Sequence, residues 1–171
     1  YAWLTLAPTL FIKVGYSLSH SISFMVVTGI GFVVGASLAA LVSDRIERKI
    51  TSAVICLVWA AALVVIGLQP GNVGIMVCGF IASTTIGLLI PILYTYTAEN
   101  FPTGFRATGV SATDGIGHLG GALAPVIVLA AYRQWDFAGA FYVMAFTGLL
   151  AAVLLMLGVR TTGKPLADIA R

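Results

Sequence analysis

Charge is what this sequence has least of. Only 9% of its 171 residues are Asp, Glu, Lys or Arg, where soluble domains carry about 25%. A chain so poor in charge cannot clothe a water-facing surface, which excludes an ordinary soluble domain. Cysteine is nearly missing too. Cys56 and Cys78 both lie in apolar runs, so there is no disulfide framework and no metal-ligand spacing. They read as small packing residues. No glycine-rich phosphate loop follows a strand, so no cofactor and no metal is expected. No serine or cysteine nucleophile stands at evident spacing from a base, and the chain is not expected to be an enzyme. There is no initiator methionine or signal-peptide pattern. Tyr1 opens inside an apolar run already under way, so the expectation is a piece of a longer protein.

What the chain does have is hydrophobic residues, 60% of the total, and a mean hydropathy of +1.05. A spanning helix needs ~20 mostly apolar residues to cross ~30 Å of hydrocarbon. Five stretches qualify: His20–Ser43, Thr51–Leu68, Asn72–Ala98, Ala107–Tyr132 and Phe137–Val159. A sixth, Tyr1–Val14, is too short to span and reads as the second half of a truncated helix. Strands of a membrane barrel would alternate apolar with polar residues. Runs such as Leu57 to Ile66 and Leu149 to Leu157 do not alternate. The expected fold is therefore an all-α membrane protein with five full transmembrane helices and one truncated one, embedded in a lipid bilayer.

The net charge of +3 reflects topology rather than nucleic-acid binding. Arg45, Arg48, Lys49, Arg106, Arg160, Lys164 and Arg171 fall in alternate loops and the tail, and only Lys13 and Arg133 oppose them. Basic residues concentrate on the cytoplasmic side of membrane proteins. This side and the C-terminal tail are thus expected inside, in a plasma or bacterial inner membrane. Trp3, Tyr16, Tyr132, Trp135 and Phe137 then read as anchors near the outer boundary, where amphipathic rings suit the headgroup layer.

Polar groups inside a span are expensive; an Asp near a helix centre costs roughly 3 kcal/mol on insertion scales. Asp114 is the sole acidic residue inside an expected span. Counted from Arg106 at ~1.5 Å per residue, it lies about 12 Å into its helix. His118 follows one turn later on the same face, at the i,i+4 spacing that lets side chains touch. An acid and an imidazole there suit a proton-coupling role. Glycines surround them, and Gly117 with Gly121 makes a small-xxx-small step that permits close contact with another helix. The span Asn72–Ala98 offers a second polar face, with Ser83, Thr84, Thr85, Tyr94, Tyr96 and Thr97 around Pro91. Proline removes one helix hydrogen bond and bends the segment. Tyr94, Thr84 and His118 are the candidate substrate-binding residues, although Ser and Thr also bond back to their own helix.

Three segments carry a family resemblance. Ser43-Asp44-Arg45-Ile46-Glu47-Arg48-Lys49 resembles the Gly-x-Leu-Ala-Asp-Arg-x-Gly-Arg-Lys signature of the major facilitator superfamily, between its eighth and ninth helices. Glu99-Asn100-Phe101-Pro102-Thr103-Gly104-Phe105-Arg106 is similar to the Glu-x-Phe-Pro-Thr-x-x-Arg segment between the tenth and eleventh. Thr162-Gly163-Lys164-Pro165-Leu166-Ala167-Asp168-Ile169 resembles the tail after the twelfth. The family's Gly positions in the first signature are occupied here by Ala40 and Glu47. Tyr94 stands where sugar porters often carry Trp, and His118 where related metabolite porters often carry Arg.

The resemblance implies the C-terminal six-helix half of a twelve-helix transporter over residues 1–171, with the N-terminal half as its missing partner. It further implies alternating-access transport of a small organic solute, of the sugar or organic-acid class, coupled to protons through Asp114 and His118 or facilitative. Asp44, Arg45, Arg48, Glu99 and Arg106 are expected to form a gating ion-pair network at the cytoplasmic ends of the spans. The alternative is a non-transporting membrane receptor or scaffold of transporter descent.

Overall fold

The computed structural model describes residues 2–43, 45–69 and 71–161. Asp44 and the tail segment beginning at Thr162, with Lys164 and Arg171, lie outside the described residues. The described elements are all helices: α1 (Ala2–Lys13), α2 (Leu18–Val42), α3 (Arg48–Gly67), α4 (Asn72–Glu99) and α5 (Arg106–Leu157). In hydrocarbon no water can satisfy a free backbone group, so a chain this apolar satisfies its own along helices. α2, α3, α4 and α5 are each long and apolar enough to cross a membrane.

The expected spans Ala107–Tyr132 and Phe137–Val159 emerge as two arms of α5. Its 52 residues would extend ~78 Å at ~1.5 Å each, more than twice the hydrocarbon core. The helix breaks at Trp135 (φ −132°, ψ 21°) and Asp136 (φ 56°, ψ −159°). A left-handed Asp is costly in an uninterrupted helix but tolerable at a turn. The first arm covers residues 106–134 and the second 137–157.

α2 lies along α4, and α3 lies along both α5 and α4. The α2–α4 seam is built on glycine. A Cβ added to Gly87 would overlap the Phe32 carbonyl, and one added to Gly31 would sit 2.7 Å from the Phe80 carbonyl oxygen. These contacts bring two backbones together as small residues do in membrane bundles. The second arm of α5 closes on α3 in the same manner, with Gly148 against the benzo edge of Trp59.

Among the described residues, the small-residue step expected at Gly117 has no helix packed on it. A Cβ at Gly115, Gly117 or Gly120 would meet nothing within 4 Å. The first arm of α5 is mostly exposed, and it meets α4 far less than α2 does. Glycine spacing says that close approach is possible; the partner that exploits it here is found at Gly31, Gly35 and Gly87 instead.

Two residues expected as boundary anchors are core residues. Trp3 is 3% exposed and Phe137 2%. Phe137 stacks at a tilt on Phe141, centroids 4.6 Å apart, and both face Phe11. Trp3 meets Phe24 and Phe141 edge-on. A buried indole needs an acceptor for its N–H, and Trp3 Nε1 donates to Ser83 Oγ at 3.0 Å. Of the remaining aromatics, Trp135 is exposed at the break. Tyr132 lies under the Lys13 ammonium, 5.0 Å from its centroid.

Candidate functional site

The site forms where α4 and the first arm of α5 stand apart. Tyr94 lies five residues before the end of α4, and Asp114 eight residues after the start of α5. At ~1.5 Å per residue both lie about 8–12 Å inside the helix ends that carry Glu99 and Arg106. A cavity of about 220 Å³ separates the two helices there, lined by Tyr94, Thr97, Thr113, Asp114 and Gly117 among others.

Asp114 is the centre of this group. Its Oδ1 accepts a short hydrogen bond from the Tyr94 hydroxyl. Its Oδ2 lies 3.3 Å from His118 Nδ1, and its backbone carbonyl lies 2.9 Å from the same nitrogen. A carbonyl oxygen can only accept, so this arrangement places the proton on Nδ1. The other ring nitrogen, Nε2, is then the one whose protonation charges the ring. Both carboxylate oxygens are engaged, one by a donor on α4 and one by a donor on its own helix. Side-chain exposures of 39% for Asp114 and 55% for His118 keep both groups within reach of the cavity or of a facing surface.

An ionised Asp114 satisfies both contacts as an acceptor. A protonated Asp114 keeps acceptor capacity but loses the charge that strengthens both contacts, and it gains a donor of its own.

Thr84, the other expected substrate residue, is elsewhere. It lies ten residues before Tyr94, about 15 Å along the helix, and faces α2, with Oγ1 3.1 Å from the place a Gly31 Cβ would occupy. The structure brings Tyr94, Asp114 and His118 together and leaves Thr84 in the α2–α4 seam. Thr85 and Thr113 bond back to carbonyls of their own helices.

At the basic ends of the helices, Arg48 Nη1 and Glu99 Oε1 form an ion pair at 2.9 Å, with side chains only 11% and 18% exposed. It ties the start of α3 to the end of α4. Arg106 Nε donates to the Ala98 carbonyl at 2.8 Å, which docks the start of α5 on the same end of α4. Arg45 is exposed, and Asp44 falls outside the described residues. The Tyr96 hydroxyl adds a bond to the Val159 carbonyl at 2.8 Å. Nothing in the residue order announces this last contact, because its partner is backbone.

Among the described residues, no group of three or more His, Cys, Asp and Glu side chains could hold a metal ion. Helices of membrane-spanning length around a polar, cavity-facing group are compatible with several families. The profile of the Major Facilitator Superfamily matches residues 1–170. The chain belongs to the major facilitator superfamily.

Similar proteins within it include the niacin transporter NiaP of Acinetobacter baylyi, 32% identical over 171 residues, which covers 99% of this chain and 39% of that protein. The benzoate transport protein of the same organism is 30% identical over 128 residues, or 73% of this chain and 26% of the relative. The inner membrane metabolite transport protein YdjE of Escherichia coli is 24% identical over 165 residues, covering 95% and 36% respectively. The chain thus spans about two fifths of the length of such superfamily members, and its helices form a partial major facilitator bundle in an integral membrane protein.

Proposed function

We propose that this chain is the C-terminal six-helix half of a secondary transporter that carries a small organic acid by alternating access, coupled to protons through Asp114 and His118. The observation that carries the reading is the Tyr94–Asp114–His118 group, which links a titratable pair on α5 to a donor on α4 across a cavity. Intramembrane ionisable groups mark substrate and proton pathways. In this architecture substrate sits near the midplane between two halves that rock against each other.

Loading a proton on Asp114 removes the charge that strengthens its contacts with Tyr94 and His118, and losing it restores the stronger tie. Substrate and proton thereby act on one α4–α5 junction. The Arg48–Glu99 pair and the Arg106 bond to Ala98 serve as the latch at the cytoplasmic ends, in keeping with the positive-inside placement of the basic residues. The relatives named for niacin and benzoate favour a small aromatic acid over a sugar. The rest of the cavity comes from the N-terminal half.

The test is uptake by the full-length protein in proteoliposomes, with an imposed pH gradient and a panel of aromatic and aliphatic monocarboxylates, amides and hexoses. Gradient-driven accumulation of an organic acid is expected. Equal uptake with and without the gradient would leave a facilitator and return Asp114 to packing. No uptake across the panel would favour a receptor or scaffold.

A further inference from the structure

Three residues in the last turn of α4 hold three different parts of the chain. Glu99 pairs with Arg48 at the start of α3. The Ala98 carbonyl accepts from Arg106 at the start of α5. Tyr96 reaches the third part: its hydroxyl donates to the Val159 carbonyl at 2.8 Å, just past the end of α5. The turn is itself tied, since Asn100 Nδ2 donates back to the Tyr96 carbonyl at 2.7 Å.

The Tyr96 contact has its own requirements. Tyr96 is 8% exposed, and a buried hydroxyl needs a partner. Gly158 makes the reach possible. It is extended (φ −67°, ψ 171°), and a Cβ there would collide with the Tyr96 hydroxyl. The acceptor is backbone, so any side chain at 159 presents the same carbonyl, and the Val159 side chain is exposed. The demand on sequence therefore falls on Tyr96 and Gly158. Past this point the chain stays packed, because Thr161 is 2% exposed.

Tyr94 and Tyr96 divide the end of α4 between two neighbours. Residues two apart are about 200° apart around a helix, so the two rings leave α4 on opposite sides. Tyr94 meets Asp114 beside the cavity, and Tyr96 meets the segment that leaves the second arm of α5. A rigid displacement of this turn changes both contacts together.

We infer that residues 158–161 form a third strap of the inner latch, with Tyr96 as its positioning residue. The strap favours the state in which the basic ends of the helices are closed. It deepens the transport reading and rests on it, since a latch matters only where two states exchange. One neutral hydrogen bond shifts such an equilibrium by about fivefold.

The experiment uses the full-length protein with Thr113→Cys as a reporter, since Thr113 lines the cavity beside Tyr94. A membrane-impermeant maleimide is applied to right-side-out and inside-out vesicles, with protein lacking the reporter as the blank. Tyr96→Phe is expected to speed labelling about fivefold from the face that carries the basic loops, and not from the opposite face. Gly158→Ala is expected to give the same shift, because its methyl displaces the hydroxyl. The two together should do little more than either, as two changes to one contact do. Val159→Ala, which keeps the carbonyl, is expected to label like its parent.

Faster labelling from both faces would mean a bundle loosened without direction, and would overturn the inference. Labelling from the basic face that is unchanged or slower would overturn it too, as would additive effects of the two substitutions. If Tyr96→Phe does not fold, Gly158→Ala alone decides. If the protein accumulates an organic acid and the labelling does not shift, the strap fails and the transport reading stands. If the labelling shifts and no solute is accumulated, the strap stands and the transport reading fails.

Discussion

The Tyr94 hydroxyl on α4 is hydrogen-bonded to the Asp114 carboxylate on α5, across twenty residues of sequence. The same carboxylate is reached by His118 from one turn further along its own helix. One carboxylate is therefore shared between a donor on α4 and a donor on its own helix.

Asp114→Asn in the full-length protein is expected to abolish accumulation against a gradient while substrate exchange persists. The amide keeps the size of the group and can still accept from Tyr94, but it cannot take up and release a proton. The assay is gradient-driven uptake beside counterflow in the same proteoliposomes. Unchanged accumulation would make Asp114 structural.

Tyr94→Phe tests whether the two side chains act as a unit. Residues in one hydrogen-bonded network couple by ~0.5–3 kcal/mol in a double-mutant cycle. The substitution is expected to reduce uptake in the native background and to do little more in the Asp114→Asn background. Independent, additive losses would mean that the Tyr94–Asp114 contact plays no part in coupling.

The Arg48–Glu99 pair is largely buried, and breaking a buried pair by removing one partner costs ~3–5 kcal/mol. Glu99→Leu alone is expected to lower the unfolding temperature and to reduce transport. Arg48→Met with Glu99→Leu together should recover most of the stability but not the transport, because two apolar residues restore packing without a latch. Thermal unfolding and initial uptake rates, measured on the same samples, separate the two effects.

Glycine substitutions should sort by helix rather than by spacing. Gly87→Ala drives a methyl into the Phe32 carbonyl and is expected to destabilise the bundle by ~1–3 kcal/mol. Gly115→Ala meets open space and is expected to change stability by no more than ~1 kcal/mol, in the favourable direction that helix propensity gives alanine. Thermal stability of the two purified variants checks the contrast.

Hydropathy made most of the helical layout legible. The expected span Asn72–Ala98 is α4 to within one residue, and His20–Ser43 is α2 to within two. The neighbourhood of Asp114 and His118 was readable because i,i+4 is a property of the helix itself. Arg48 and Glu99 were recognisable as latch candidates because charges of both signs stand at the inner ends of neighbouring spans, and the structure pairs these two. Tyr94 was singled out, but its tie to Asp114 depends on how two helices cross, which residue order does not record. Trp3 was misplaced at the boundary because an aromatic near a chain end looks the same whether it faces headgroups or Ser83. Trp59 carried no signal at all, being one more apolar residue in an apolar run until Gly148 is seen packed on its ring.

The glycine seam gives α4 two sides of unequal stiffness. On the α2 side, backbone meets backbone, and sliding either helix requires carbonyls to pass through one another's contact distance. On the α5 side, the first arm meets α4 through the Arg106–Ala98 and Tyr94–Asp114 hydrogen bonds, with a cavity beside the second. α2 and α4 are therefore locked backbone to backbone, whereas the first arm of α5, set off from the second by the break at Trp135 and Asp136, meets α4 through side chains. Any difference in how α4 is held by its two neighbours therefore lies in side chains on the α5 side and in backbone on the α2 side.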